Sequence, residues 1–307
     1  MKNEKKVIPV RLDAELADGL NEMAKKDFRS LNGEIEYLIA KELIGRRGGM
    51  SEALLADCAA FVWNADEKRP LPVRFADGVR LSDLKLYSEE KREVVDNTVG
   101  FIAGLPAQNV LLYGDRGTGK SATVHAILNE FSNKGLRMIE LKKSNISDFP
   151  RLLDIIADAN GKYKFIVFID DLSFADGQDN YAELKAVLEG SIAQIKNVLI
   201  YATSNRRHII KENLRDRDGD VHLSDTLQEQ ISLSDRFGIT VTFMKPDKDG
   251  FFVILRGILS GRGIEIEDGK LARLAETFCL DKGGRTPRGA KQLADILESK
   301  IKRGLDI

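Results

Sequence analysis

The chain has 307 residues, with 47 Lys and Arg against 48 Asp and Glu, a formal net charge of −1 and 43% hydrophobic content. That balance gives enough apolar mass for a core and room for two or three domains at about 100–200 residues each, and it excludes a whole-chain electrostatic signal for nucleic acid. Cys58 and Cys279 lie far apart, His125, His208 and His222 show no ligand spacing, and no run reaches the ~18 apolar residues of a membrane span, so neither a zinc site nor a spanning helix is expected and the reading is cytoplasmic.

Residues 1–48 have a pattern of their own. In KVIPVRL, Ile8, Val10 and Leu12 fall on one face of a strand, and Val7, Pro9 and Arg11 on the other. Asp13 suits the N-cap of a helix with Leu16, Leu20, Met23 and Ala24 on one face, and Ser30 suits the cap of a second carrying Leu31, Ile35, Leu38, Ile39 and Leu43. One strand and two helices cannot bury a sufficient core alone, so this piece is expected to dimerise. IGRRGGMSE, residues 44–52, reads as a joint in which Gly45, Gly48 and Gly49 form a short flexible link before a methionine able to start a protein of its own. The chain thus divides into a module at 1–48, a linker and helical preface at 49–80, a core at 81–245 and a lid at 246–307.

Beyond the joint, a helix is expected at about 51–64, then an irregular stretch around Pro70 and Pro72, then a helix capped by Ser88 and running to about 103. From 109 onward, NVLLY, RMIEL, FIVFID, NVLIYAT and ITVTF alternate with helical patterns. Uninterrupted apolar strands between helices predict a five-stranded parallel sheet covered on both faces, an α/β core. Residues 246–304 read as wholly helical, a smaller lid.

The chemistry begins at GDRGTGKS, residues 114–121, which follows a strand and opens a helix and matches the phosphate-loop pattern G-x-x-x-x-G-K-[ST]. Gly114, Asp115, Arg116, Gly117, Thr118, Gly119, Lys120, Ser121 and Ala122 form the candidate cradle, whose glycines let backbone N–H groups and the helix N-terminus face anionic oxygens. Lys120 brings a mobile cation to the β/γ-phosphates, and Ser121 a hydroxyl to Mg²⁺. FIVFIDD delivers Asp170 to hold Mg²⁺ through water and Asp171 to orient or deprotonate the attacking water. Asp171 stands where many such sites use the longer Glu, which makes the base the weaker of the two assignments.

Asn205, just past an apolar strand, can bond the γ-phosphate or its water, or form a plain Asx turn. In SLSDRFG, Arg236 fits a finger reaching a neighbour's nucleotide, with a surface ion pair as the rival reading. In GGRTPRGAKQL, Thr286 is the N-cap, Pro287 the first helical residue and Arg288 a side chain returning to the nucleotide, with Arg285 as the alternative.

Together these elements resemble AAA+ ATPases, in the same order along the chain. More narrowly, residues 80–300 look like a bacterial family of AAA+ ATP-binding proteins carrying a domain of unknown function, through NVLLYGDRGTGKS, DDLSF, LKAVLEGSI, VLIYATSNRRH and SLSDRFG. The resemblance implies ATP and Mg²⁺ as cofactors, hydrolysis, homo-oligomers that include hexameric rings, and a protein client it does not identify. VIPVRLDAEL and RSLNGEIEYLI resemble a ribbon-helix-helix module of the Arc/MetJ type. That resemblance implies a strand-paired dimer whose outward Lys5, Val7, Pro9 and Arg11 enter a DNA groove, while the Ser30–Asn32 turn approaches a phosphate. Val7 and Pro9 depart from the polar side chains usual at base edges, and ten Lys/Arg against nine Asp/Glu over 1–48 give no basic footprint. The expectation is a Mg²⁺-dependent ATPase tethered to DNA or self-associated. The alternative is a nucleotide-gated assembly module with negligible turnover.

Overall fold

The structure is a computed structural model that describes residues 12–26, 30–33, 35, 38, 39, 50–73, 78–157, 159, 161–172, 184, 188, 196–205, 236–282 and 284–307. Helix α1 (Ala14–Lys26) starts as its sequence dictates, with Asp13 Oδ1 accepting from the Leu16 N–H at 2.8 Å. Ser30 Oγ likewise accepts from Gly33 N–H at 3.1 Å, and Asn32 lies in the helical turn that follows. Lys5, Val7, Pro9 and Arg11 lie outside the described residues.

Among the described residues, seven strands form one sheet in the order β2-β1-β4-β5-β6-β3-β7. They are β1 (Ala60–Asn64), β2 (Arg69–Pro72), β3 (Val110–Gly114), β4 (Leu136–Glu140), β5 (Lys164–Ile169), β6 (Val198–Asn205) and β7 (Ile239–Phe243). All neighbours are parallel except β1 and β2, which pair antiparallel. The sheet therefore exceeds the five parallel strands expected, and the helix expected over 51–64 is corrected. Helix α2 (Glu52–Asp57) is short, and the chain then extends into β1. The physical reason is tertiary: Ala60, Phe61 and Val62 register against Met138, Ile139 and Glu140, a partner that local periodicity cannot reveal.

Pro70 and Pro72 sit in β2 rather than in an irregular stretch. Val73 N–H donates to Ala60 O at 2.8 Å, so the alternation of the ladder turns positions 70 and 72 toward the outer edge, where a missing N–H costs no internal bond. The turn is closed by Asn64 Oδ1, which accepts from Asp66 and Glu67 N–H at 2.9 Å each.

Successive strand residues feed opposite faces. Phe165, Val167 and Ile169 join one apolar cluster with Phe61, Ile139 and Ile200, while Ile166 and Phe168 join the other with Leu112, Met138 and Tyr201. Met50, 5% exposed, packs in the first cluster with Leu54 and Leu55, so the methionine of the joint belongs to the core. Arg137 of β4 is buried beside it. Its guanidinium donates to Leu55 O at 2.6 Å, Ser132 O at 2.8 Å and Leu136 O at 2.7 Å, and lies over the Tyr163 ring at 4.5 Å. Burial lowers its pKa, with Tyr163 opposing.

Helix α3 (Ser88–Ile102) is capped by Tyr87 in the left-handed region (φ 60°), not by Ser88. Tyr87 is held there by its own side chain, whose hydroxyl donates to Met244 O and whose ring lies 4.8 Å from that of Phe243. Helix α4 (Lys120–Phe131) follows β3, and α5 (Phe149–Ala157) precedes β5. Helices α6 (Lys248–Gly261), α7 (Asp268–Lys282) and α8 (Pro287–Lys302) enclose their own apolar cluster, including Phe251, Leu255, Phe278 and Leu293. Arg262 at the end of α6 staples α8 through Glu298 at 2.8 Å and Asp295 at 2.7 Å. Among the described residues, no helix is long and apolar enough to cross a membrane.

Candidate functional site

A cleft of about 920 Å³ opens where β3, β5 and β6 end and the α6–α8 unit faces them. Its floor is the turn between β3 and α4. Gly114 (φ 138°) admits no Cβ, because one would stand 2.1 Å from Phe243 O on the neighbouring strand. Gly117 (φ 80°) and Gly119 (φ 102°) curl the loop so that α4 begins at Lys120, with its first N–H groups directed into the cleft. Thr118 Oγ1 donates to Asp115 O at 2.8 Å and tightens the turn.

Lys120 is 6% exposed, and its ammonium donates to Gly114 O at 3.1 Å, Asp115 O at 2.7 Å and Asn205 Oδ1 at 3.1 Å. Burial lowers its pKa, Arg288 adds to that, and Asp115, Asp170 and Asp171 oppose it. Ser121 Oγ donates to Asp170 Oδ1 at 2.7 Å, so a hydroxyl and a carboxylate meet at the mouth of the loop. Two hard oxygen donors are too few for an all-protein cage and fit Mg²⁺, which keeps waters and takes phosphate oxygens to complete its octahedron.

Asp171 carries φ 53°, a left-handed conformation for a non-glycine residue, and its carboxylate accepts from Asn205 Nδ2. Lys120, Asn205 and Asp171 thus form one hydrogen-bonded chain across the cleft. Gly117, Thr118, Gly119, Ser121, Ala122 and Arg116 line it with Asp170 and Asp171.

The opposite wall belongs to the helical unit. Thr286 Oγ1 caps α8 by accepting from Gly289 N–H at 3.0 Å, and Pro287 and Arg288 line the cleft. Arg288 N–H donates to Gly117 O at 3.2 Å, tying α8 to the phosphate loop. Arg285 instead pairs with Glu276 at 3.0 Å. Asp115 points toward the connection after β7, its Oδ2 accepting from Lys245 N–H at 3.0 Å.

Arg236 is not brought to this cleft. It precedes β7, whose residues 239–243 register with 110–114 of β3, so it lies near the end of the strands opposite the phosphate loop. Five strand residues span about 16 Å, which places Arg236 beyond reach of a phosphate bound at its own loop.

The sequence reading overlooked three contributors. Thr203 and Ser204, buried at the end of β6, bond to the Asp170–Leu172 segment, and Tyr87 lines the cleft with its pKa pushed up to about 12, chiefly by burial. Hydroxyl side chains interrupting the apolar run VLIYATSN were the available signal for the first two, because a buried hydroxyl needs a partner.

Curated relatives share a stretch of similar extent. ATPase family gene 2 protein of Schizosaccharomyces pombe is 31% identical over 187 residues, 56% of this chain and 20% of its own length. Replication factor C large subunit of Methanococcus vannielii is 28% identical over 211 residues, 62% of this chain and 42% of its own. The chain therefore spans less than half the length of either relative. Among solved structures, a variant of Thermotoga maritima RuvB superposes with a TM-score of 0.50 at 16% identity, covering 76% of this chain and 68% of that one. A second RuvB variant gives 0.50 at 17% identity, covering 74% and 67%. These likenesses bear on the fold, which is the α/β phosphate-loop fold of AAA+ proteins with a seven-stranded, mostly parallel sheet. Residues 56–301 match the family described as Protein of unknown function (DUF815), and the chain belongs to that family.

Proposed function

We propose that the cleft binds ATP with Mg²⁺ and hydrolyses it, making this chain an AAA+ ATPase that works as an oligomer. The observation that carries the proposal is the chain Lys120–Asn205–Asp171, laid across a glycine loop whose mouth holds the Ser121–Asp170 pair. The buried ammonium of Lys120 rests on loop carbonyls, which are weaker partners than phosphoryl oxygens, so a triphosphate draws it off them at little conformational cost. Ser121 and Asp170 hold Mg²⁺, which when bound neutralises charge on the phosphate oxygens. Asp171 orients the attacking water and accepts its proton, while Asn205 fixes the carboxylate and bonds the water or the terminal phosphate. Arg288 joins from the lid, so that lid position reports whether the site is filled.

Arg236 acts on a neighbouring copy, since it cannot reach its own loop, and the relative named ATPase family gene 2 protein is consistent with nucleotide chemistry here. Residues 1–48 self-associate the chain or tether it to DNA, the latter through Lys5, Val7, Pro9, Arg11 and the Ser30–Asn32 turn. The domain limits at 48 and 245 belong to the same proposal, whereas residues 50–73 join the core rather than a linker ending at 80, since β1 and β2 extend its sheet. A cytoplasmic location and an unidentified protein client are proposed as well.

The test is binding of a fluorescent ATP analogue together with phosphate release, measured at protein concentrations that span assembly. Lys120→Ala is expected to weaken binding about 100-fold, the loss of one charge-assisted bond of about 3 kcal/mol. Asp171→Asn is expected to bind normally and lose turnover. Normal hydrolysis by Lys120→Ala sinks the assignment, and binding without turnover in the unaltered chain selects the nucleotide-gated assembly module instead.

A further inference from the structure

We infer that Thr203 and Ser204 are positioning residues that hold the Asp170–Asp171 pair in its working geometry, an inference that rests on the nucleotide reading of the cleft. The register sets the stage: Phe168 lies opposite Tyr201 and Ile169 opposite Ala202, so the next step along both strands brings Asp170 level with Thr203. Thr203 is 2% exposed and Ser204 is fully buried, so neither hydroxyl is solvated and each must find protein partners.

The bonding of Thr203 has a fixed direction. Its Oγ1 accepts from the Asp171 N–H at 2.9 Å, and an amide N–H can only donate. The single hydroxyl proton is therefore committed to Asp170 Oδ1 at 2.5 Å. That same oxygen accepts from Ser121 Oγ at 2.7 Å. Two hydroxyls thus pin one oxygen of Asp170 and fix how the carboxylate rotates, which decides how it presents itself to a cation held beside Ser121.

Two more bonds complete the hold. Leu172 N–H donates to Thr203 O at 2.8 Å, and Ser204 Oγ donates to Leu172 O at 2.6 Å. The left-handed Asp171 is bracketed on both sides by this stitching, and without it an aspartate relaxes to negative φ. Relaxation would swing the carboxylate away from Asn205. Thr203 therefore serves the metal-facing carboxylate and the bend, while Ser204 serves the bend alone.

The full-length chain carrying Thr203→Val, Thr203→Ser or Ser204→Ala separates this from a purely structural role. Three quantities are read: the Mg²⁺ concentration that half-saturates tight binding of a fluorescent ATP analogue, kcat, and thermal stability. Thr203→Val should raise the Mg²⁺ requirement and lower kcat, each about 10- to 100-fold, with nucleotide affinity in EDTA unchanged. Thr203→Ser, which keeps the hydroxyl, should restore both. Ser204→Ala should lower kcat and leave the Mg²⁺ requirement in place. If Thr203→Val does not fold, Thr203→Ala removes the same hydroxyl without β-branching and carries the same expectations. A Thr203 variant with wild-type Mg²⁺ requirement and kcat, altered only in thermal stability, overturns the inference. An unaltered chain that binds no nucleotide in the same assay overturns the reading of the cleft instead.

Discussion

Arg137→Met removes a cation that, among the described residues, is held by backbone carbonyls and the Tyr163 ring, and the structure sets the size of the effect. The guanidinium spends its donors on three backbone carbonyls, Leu55 O, Ser132 O and Leu136 O, that stand near the junction of α2, β4 and the turn after α4. Bonds from a charged donor are worth about 1.5–3 kcal/mol each, and part of that sum returns because the variant no longer desolvates a charge. A net loss of about 3–5 kcal/mol follows, or roughly 10 °C in midpoint for a domain of this size. Arg137→Lys should recover little of it, since one ammonium cannot span three carbonyls or stack on Tyr163 as a plane does. The assay is reversible chemical denaturation beside nucleotide binding at low temperature. Arg137 does not line the cleft, so binding by the folded variant should match the unaltered chain. A midpoint unchanged by Arg137→Met, or full recovery by lysine, would refute the view that directed donors, rather than charge or bulk, fasten α2 to the sheet.

Two further outcomes are expected. Tyr87 has its pKa raised from 10.0 to about 12, so the folded state favours the neutral phenol. The stability this contributes is complete below pH 10 and is lost as pH rises toward 12, with a slope below about 1.4 kcal/mol per pH unit because the ring is half-exposed. Tyr87→Phe should flatten the alkaline stability profile in that window and, near neutrality, lower stability by a constant amount of about 1 kcal/mol, because the bond to Met244 O is lost. An alkaline slope identical to that of the unaltered chain would contradict the assignment. Met50→Ala should cost about 2–4 kcal/mol in denaturant titration, the range for a buried methionine, and a loss below about 0.5 kcal/mol would return the residue to the linker.

Much of the site was legible because its signals are local. A glycine loop between a strand and a helix, an apolar strand ending in two aspartates, and a Thr-Pro helix start each need only neighbouring residues to be recognised. The failures share a cause in distance. Leu54, Leu55, Cys58 and Phe61 can be set on one helical face, and it is pairing with β2 and with β4, the latter some 75 residues further on, that puts Phe61 in a strand. Pro70 and Pro72 look like breaks until an edge position is known to exist. The cap at Tyr87 is fixed by a hydroxyl bond to Met244 and could not be read from residues 84–90. Thr203 was in plain view, but its importance appears only when β5 and β6 lie side by side.

The outward-facing prolines of β2 also matter while the chain is being made. The hairpin of β1 and β2 is complete once Val73 is added, yet β4, its partner in the sheet among the described residues, begins at Leu136. At about 5–20 residues per second, the nascent hairpin waits for several seconds with Phe61 and Trp63 uncovered. Over that interval one of its two margins offers carbonyls at positions 70 and 72 but no N–H, so a second nascent chain finds nothing there to complete a ladder. Those two residues halve the surface through which ribosomes working on one message could tangle their products, a form of protection exercised before the sheet exists.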